Sequence, residues 1–360
     1  MVSISLCMIV KDEEATLARC LDSIYKLVDE VIIVDTGSTD ATKEIAARYT
    51  TAIYDFTWQY DFSLARNFAF SKATKDYIMW MDADDVLLDK DKILFGILKR
   101  QLSPEIDIIK MRYDLTDINS DKLVASLDRE RIVKREKNYK WVSPVHEYID
   151  GQGKELKSDV AITHKRTHLP TRRNLDIFER YIAAGNELAS RNWFYYAREL
   201  FVWGEIDKAI IYYDKFLKTD GELESKYLDS CIELAQCYRK RNEDDKILST
   251  LLRFFEKAGP RAEICCTLGA YYKERGNYEK AISWFKMAPH TTQAEGTGKV
   301  TYSYLGYIPY MELCACSFKL GRIDDAIMYN EEAAKYEPLD EKILQNRCFL
   351  ANVKLQSIQR

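Results

Sequence analysis

The chain has 360 residues, of which 47% are hydrophobic and 31% charged, with a formal net charge of −4. That is enough apolar content for two cored domains, and the dispersed Lys and Arg, with no basic block or acidic tail, argue against a nucleic-acid partner. Apolar runs such as Val31–Val34 are too short to span a bilayer, and MVSISLCMIVKDEE lacks the basic start and small-residue cleavage site of a signal peptide, so a cytoplasmic location is expected. Nine cysteines, an odd number without C-x-x-C spacing, argue against a disulfide framework or zinc site and suit small apolar fillers of helix interfaces.

The first hundred residues alternate. SISLCMIV reads as a strand, and DEEATLARCLDSIYKL as an amphipathic helix with Leu17, Leu21 and Ile24 on one face. EVIIVD is a second strand, and STDATKEIAARY a helix capped by Ser38 or Thr39. TAIYDFTW, DFSLARNFAFSKA and DYIMWMD continue as strand, helix and strand. Short apolar runs separated by helices predict βαβ units and a mainly parallel, Rossmann-like sheet. Ligands of such sheets bind beyond the carboxyl ends of the strands. Asp35 and Asp82 stand at two of those ends.

After Lys90 the pattern changes. IDIIKMRYDL, ASLDRERIVKR and VAITHKRTH read as further strands, and from about Arg172 the chain is helical to its end. The expected domains are 1–172, α/β, and 173–360, all-α. The second half repeats. Gly276 precedes Ala281 by five residues and Phe285 follows by four. Gly321, Ala326, Ala333 and Pro338 repeat the pattern, as do Gly204, Ala209 and Tyr213 with Trp193 upstream. A degraded copy has Asn242 in the glycine position, 34 residues before Gly276, which is the tetratricopeptide period. The small Ala lets two helices approach, and the Gly turns the chain between them. The last copy is displaced by eleven residues, fitting an insertion at HTTQAEGTGKV, and EKILQNRCFLANVKLQS reads as a cap.

YIMWM runs straight into Asp82, Asp84 and Asp85. These acids read either as a strand end, a turn and a helix cap, or as oxygen ligands gathered for a divalent cation. An isolated D-x-D decides nothing. Its companions do: CMIVKDEEATLARCLDSI, EVIIVDTGSTDAT, DFSLARNFAFSKA and YIMWMDADD occur in that order and spacing. Together they resemble family 2 glycosyltransferases of the GT-A fold, closely over residues 3–90 and more loosely through YKWVSPVHEYI and AITHKRTH. A branch with C-terminal tetratricopeptide repeats includes bacterial S-glycosyltransferases of bacteriocins, and the chain is also similar to transferases that extend lipopolysaccharide cores. One departure is Asp12, where such sequences usually carry Asn; Glu13 beside it is retained.

The resemblance implies an inverting hexosyltransferase that uses Mn²⁺ or Mg²⁺ and a nucleotide-diphosphate sugar such as UDP-glucose or UDP-GlcNAc. The implied acceptor is a peptide or protein met by the repeats, which also offer a homodimer surface. A glycan acceptor such as lipopolysaccharide is the alternative. Asp35 then meets uracil or ribose, or else caps the GSTD turn. Glu13 belongs to the same nucleotide rim. Asp61 and Arg66 lie five apart at a helix start; Arg66 approaches the base or pyrophosphate as a planar fork, or pairs with Asp61. Asp82 contacts ribose or reaches the metal through water, Asp84 is the direct ligand, Asp85 the less defined member, and His164 completes the shell. Inversion needs a base for the acceptor's proton. Glu147 fits that slot, with His146 beside it fixing a loop or binding acceptor. Trp141 walls the acceptor site or sits in the core, and His168 and His290 read as surface residues.

Two rivals follow. One is a repeat scaffold with a weakened first domain, though DADD is intact. The other is a nucleotidyltransferase, which needs a glycine-rich phosphate loop, and CMIVKDEE has no glycine.

Overall fold

A computed structural model of the protein describes residues 2–117, 122–166, 171–219, 224–291 and 300–358. It divides into two compact units, Met1–Tyr195 and Tyr196–Arg360.

In the first unit, strands β1 (Ile4–Val10), β2 (Glu30–Asp35), β3 (Ile53–Asp55) and β4 (Tyr77–Trp80) pair in parallel in the order β3-β2-β1-β4. Helices α1 (Leu17–Ile24), α2 (Thr42–Ala46) and α3 (Phe62–Lys72) connect them, and α4 (Asp89–Gln101) follows. The sheet continues through β7 (Leu123–Lys134), β6 (Ile108–Thr116), β10 (Glu155–His164) and β5 (Asp85–Val86). β7 is antiparallel to β4 and β6, β10 is parallel to β6, and β5 antiparallel to β10. The sheet is thus parallel where the βαβ units build it and mixed beyond them. A separate ribbon pairs β8 (Lys140–Val142) with β9 (Tyr148–Asp150).

β1 explains the centre. Ile4, Leu6, Met8 and Val10 pack on one face with Leu17, Leu21, Ile24 and Phe95. Cys7 packs on the other with Ile32, Val34, Ala69, Phe70, Trp80 and Trp141. A strand covered on both faces reads as a continuous apolar run. Order β2-β1-β4 makes the gap between β1 and β4 a topological switch point, where the connections diverge and a cleft opens.

Two sequence expectations shift here. The first helix begins at Leu17, because Asp12, Glu13 and Glu14 are drawn into a loop stitched to residues 38–42. Asp12 Oδ1 accepts from Thr39 N at 2.7 Å, Glu14 Oε2 from Ala41 N at 3.1 Å, and Thr42 Oγ1 accepts from Glu13 N at 2.7 Å. The second helix is capped by neither Ser38 nor Thr39. Ser38 Oγ accepts from Asp12 N, and Asp40 Oδ1 takes Thr42 N instead. The acceptor used at position 12 is a single Oδ1, which Asn also carries, so the departure from Asn costs this loop nothing.

Helix α5 (Arg173–Ala183), placed with the repeats by periodicity, lies in the first unit, and the division falls inside α6 (Ser190–Val202). The second unit continues as α7 (Ile206–Phe216), α8 (Glu224–Lys240), α9 (Asp244–Leu252), α10 (Ala262–Glu274), α11 (Tyr278–Met287), α12 (Tyr307–Lys319), α13 (Ile323–Ala334) and α14 (Glu341–Ile358). The four turn positions read from sequence all have left-handed backbone: Gly204, Asn242, Gly276 and Gly321, with φ of 82°, 59°, 71° and 74°. Asn is the non-glycine residue that tolerates this region best, so the degraded copy keeps its turn. Ala209, Ala281 and Ala326 are fully buried where paired helices touch. Most of the insertion at 290–300, and His168, lie outside the described residues. Eight cysteines are buried and free, and Cys348 is exposed.

Two glycines test the packing in opposite directions. A Cβ at Gly269 in α10 would stand 2.7 Å from the buried Phe285 ring of α11. A Cβ at Gly96 in α4 meets only the Arg100 guanidinium at 4.0 Å. Both sites gain roughly 0.5–1 kcal/mol of helix preference from Ala, but overpacking costs about 1–3 kcal/mol. Gly269→Ala is therefore expected to destabilise by about 1 kcal/mol and Gly96→Ala to stabilise by about 0.5 kcal/mol; denaturant unfolding of the two variants checks the opposite signs.

Candidate functional site

The candidate site gathers side chains from the loops after β1, β2 and β4, from residues 143–147, and from the end of β10. Asp35 ends β2, is 2% exposed, and accepts from Gly37 N at 3.1 Å and Ser38 N at 3.0 Å. Lys43 stands 3.9 Å away. Its carboxylate shapes the GSTD turn at the rim. Glu13 sits at the mouth of the neighbouring loop, where its Oε2 accepts from Thr16 Oγ1 at 2.5 Å.

After β4 the chain turns, with Asp85 N donating to Asp82 O at 3.1 Å. β5 then pairs with the end of β10, which puts Asp85 directly opposite His164. Asp84, Asp85 and His164 form a group able to hold a metal ion, with ligand atoms within 4.8 Å of one another. The His164 Nδ1 lies 3.4 Å from Asp84 and 3.2 Å from Asp85. Burial opposes charge on this imidazole, yet hydrogen bonds and fields from Asp84 and Asp85 push it up to about 10. Oxygen and imidazole donors at one rim, with the Asp84 carboxylate bonded to nothing but His164 among the described residues, fit a hard divalent ion.

Asp82 faces the other way. Arg66 Nη2 donates to its Oδ1 at 2.8 Å, and Arg66 Nε to Glu147 Oε1 at 2.6 Å. One guanidinium thus clamps two carboxylates 65 residues apart in sequence (147 − 82). Its carbon lies 4.8 Å from the rings of both Trp80 and Trp141. Burial pushes the Asp82 carboxyl up, but Arg66, Arg131 and His164 outweigh it and hold it at about 2. Asp61 does not pair with Arg66. It is the N-cap of α3 and accepts from Leu64 N at 3.2 Å and Ser63 Oγ at 2.6 Å. Trp141 is a core residue, 2% exposed, packed edge-on against Phe70 and Trp80.

His146 and Glu147 belong to a strained loop. Ser143 and His146 have φ of 82° and 52°, and non-glycine residues held there mark an over-determined segment. Pro144 O receives Phe62 N at 2.8 Å, tying the loop to the start of α3. The His146 ring stacks on Tyr195 at 4.3 Å and 12°. Glu147 points to Arg66 and His146 to Tyr195, as two different elements demand.

Arg131 was not singled out from sequence. It is wholly buried, donates to Asp85 Oδ2 at 3.1 Å, and lies 3.8 Å from the Trp80 ring and 4.3 Å from that of Tyr113. A register shift explains the miss. Ile132 pairs with Ile109 but Glu130 with Lys110, leaving Arg131 as the extra residue of a β-bulge. Bulges re-aim side chains, so strand alternation misassigns this position. The one signal in ASLDRERIVKR was an arginine next to the apolar pair Ile132-Val133.

The Arg66 clamp carries a stability test. Arg66→Met strands Asp82 and Glu147. Asp82 is a third exposed and screened by water, while Glu147 is 12% exposed. A loss of about 3 kcal/mol is expected in chemical denaturation, and Glu147→Gln on the Arg66→Met background is expected to recover most of it.

Residues 5–150 match the family model described as Glycosyl transferase family 2. The chain is 48% identical over 88 residues to a TPR repeat-containing protein of Synechococcus elongatus, covering 24% of this chain and 22% of that one. It is 25% identical over 253 residues to the SPbeta prophage-derived glycosyltransferase SunS of Bacillus subtilis, covering 65% and 58%. It is 29% identical over 113 residues to the lipopolysaccharide core biosynthesis glycosyltransferase LpsC of Rhizobium meliloti, covering 30% and 40%. The chain spans less than two thirds of the length of each of these relatives. No helix among the described residues is long and apolar enough to cross a membrane. Residues 5–150 are thus similar to glycosyl transferase family 2, and the chain continues into paired helices with the turn and alanine spacing of tetratricopeptide repeats.

Proposed function

We propose that the protein is an inverting hexosyltransferase that moves a sugar from a nucleotide-diphosphate sugar, UDP-glucose or UDP-GlcNAc, to a peptide or protein acceptor. The observation that carries this reading is one continuous chain of groups at the switch point: Asp84 and His164 as a cation-ready pair, and Asp82 joined through Arg66 to Glu147.

Asp84 and His164 would hold Mn²⁺ or Mg²⁺, which when bound supplies positive charge to the departing diphosphate. Asp35 orders the Gly37–Ser38 turn against which the nucleoside lies, with Glu13 on the next loop. Asp82 meets the ribose while Arg66 keeps it ionised. Asp61 sets the start of α3 and so aims Arg66. Glu147 Oε1 is held by Arg66, and its Oε2 receives the acceptor's proton. The acceptor oxygen or sulfur then forms the new bond to the anomeric carbon. The old carbon–oxygen bond breaks, and its electron pair leaves with the nucleoside diphosphate.

A peptide acceptor is what the sequence resemblance implies, and the similarity to the prophage glycosyltransferase, at 253 residues, is longer than the 5–150 family match. A glycan acceptor is the second reading, favoured by the similarity to LpsC.

Asp84→Asn is expected to abolish transfer with unchanged circular dichroism; retained Mn²⁺-dependent turnover would remove Asp84 from its role. Glu147→Gln is expected to lower transfer by roughly 10²–10⁴ with donor binding near normal. A thiol acceptor, with a reference pKa near ~8.5, forms its own anion as pH rises toward ~9 and should soften that defect, whereas a hydroxyl acceptor should not. Rate–pH profiles with each acceptor, beside donor calorimetry, check both statements. His146→Phe keeps the stack on Tyr195 and is expected to retain most turnover, while His146→Ala loses more. Collapse in the Phe variant with full activity in Glu147→Gln would make His146 the base.

A further inference from the structure

We infer that Asp85 is a positioning residue for the metal site and not one of its ligands, although its distance to Asp84 and His164 admits it to the ligand group. This inference rests on the metal reading proposed above.

A carboxylate has about four lone-pair sites; three of those on Asp85 take N–H or O–H donors and the fourth faces the His164 ring. Oδ2 accepts from Asp82 N and from Arg131 Nη1, each at 3.1 Å. Oδ1 accepts from Tyr113 Oη at 3.0 Å and faces His164 Nδ1 at 3.2 Å. The side chain is 0% exposed. A cation on Asp85 would have to displace one of these donors in a dry interior. Asp84, by contrast, has only His164 beside it and is 18% exposed.

These four partners come from four different parts of the chain, and each does something for the site. Asp82 N closes the turn that carries all three acids. Asp85 holds the His164 ring through Nδ1, as carboxylates behind ligating histidines do, and this leaves Nε2 as the nitrogen for an ion. Tyr113 ties the turn to β6. Arg131 balances the charge. Among the described residues its Nε and Nη2 have no hydrogen-bond partner, and the guanidinium is held through Nη1 by Asp85 and the Trp80 carbonyl and by the Trp80 and Tyr113 faces. Such an arrangement spends a buried arginine to hold a carboxylate still.

Asn at position 85 cannot serve this role, because its NH₂ would meet donors. Mn²⁺ binding in the presence of UDP, followed by electron paramagnetic resonance of the full chain, distinguishes the roles. Asp84→Asn is expected to abolish saturable binding. Asp85→Asn is expected to keep one ion with affinity lowered roughly 10–100-fold, the range found when a ligand's supporting group is lost. Tyr113→Phe removes one donor and contacts no other carboxylate by hydrogen bond. It should weaken binding in the same direction by a smaller factor, and it keeps the test alive if Asp85→Asn does not fold. The chain has 4 histidines, so the His164 ring nitrogens can be followed by ¹⁵N NMR in the metal-free protein. Both variants are expected to move them, which a merely structural role elsewhere would not. The inference is overturned if Asp85→Asn abolishes binding as fully as Asp84→Asn. It is equally overturned if Asp85→Asn and Tyr113→Phe leave both Mn²⁺ affinity and the His164 signal unchanged. Failure of the unaltered protein to bind Mn²⁺ with UDP would instead overturn the metal reading itself, before any variant is compared.

Discussion

Like charges cannot be crowded at the rim of a buried sheet unless cations are placed among them. Asp82, Asp84, Asp85 and Glu147 converge where β1 and β4 diverge, and two arginines make that tolerable. Arg66 serves Asp82 and Glu147, and Arg131 serves Asp85. Both guanidiniums lie against Trp80. The apolar run before the acids is therefore part of their electrostatics: its indole supplies a π face to each cation while filling the core. Among the described residues Asp84 has no arginine partner and meets only His164, and the metal proposal rests on that imbalance.

The same division of labour separates rigid from adaptable parts. Asp35, Asp61 and Asp85 spend their oxygens on backbone and buried donors, which orders the turns they belong to. Among the described residues Asp84 meets only His164, and Glu147 is held through one oxygen, Oε1, by Arg66. A chemical group that must meet a substrate cannot also be saturated by its own fold, so counting donors around each acid separates support from reactivity better than its place in a motif does. The helical array is governed by a different constraint, close approach of paired helices. Buried Ala and Gly269 set the spacing, and left-handed turns set the reversal.

Local signals were legible because their causes are local. Period-two apolar runs, helical spacing, the alanine and turn positions of the repeats, and the order of the four family motifs each depend on neighbours within a few residues. The left-handed turn at Asn242 was readable for that reason, even without glycine. What the sequence by itself determined was the class of each half, the sheet's parallel core, and the set of acids at its rim. It left open which acid does what. That was decided by partners distant in the chain: Arg66 reaching Glu147 across 81 positions, β5 pairing with the end of β10 to set His164 opposite Asp85, and the bulge that turns Arg131 inward. Only the tertiary structure brings these together, because a carboxylate's role depends on the donors around it in space, and those are fixed by strand register and not by spacing along the chain.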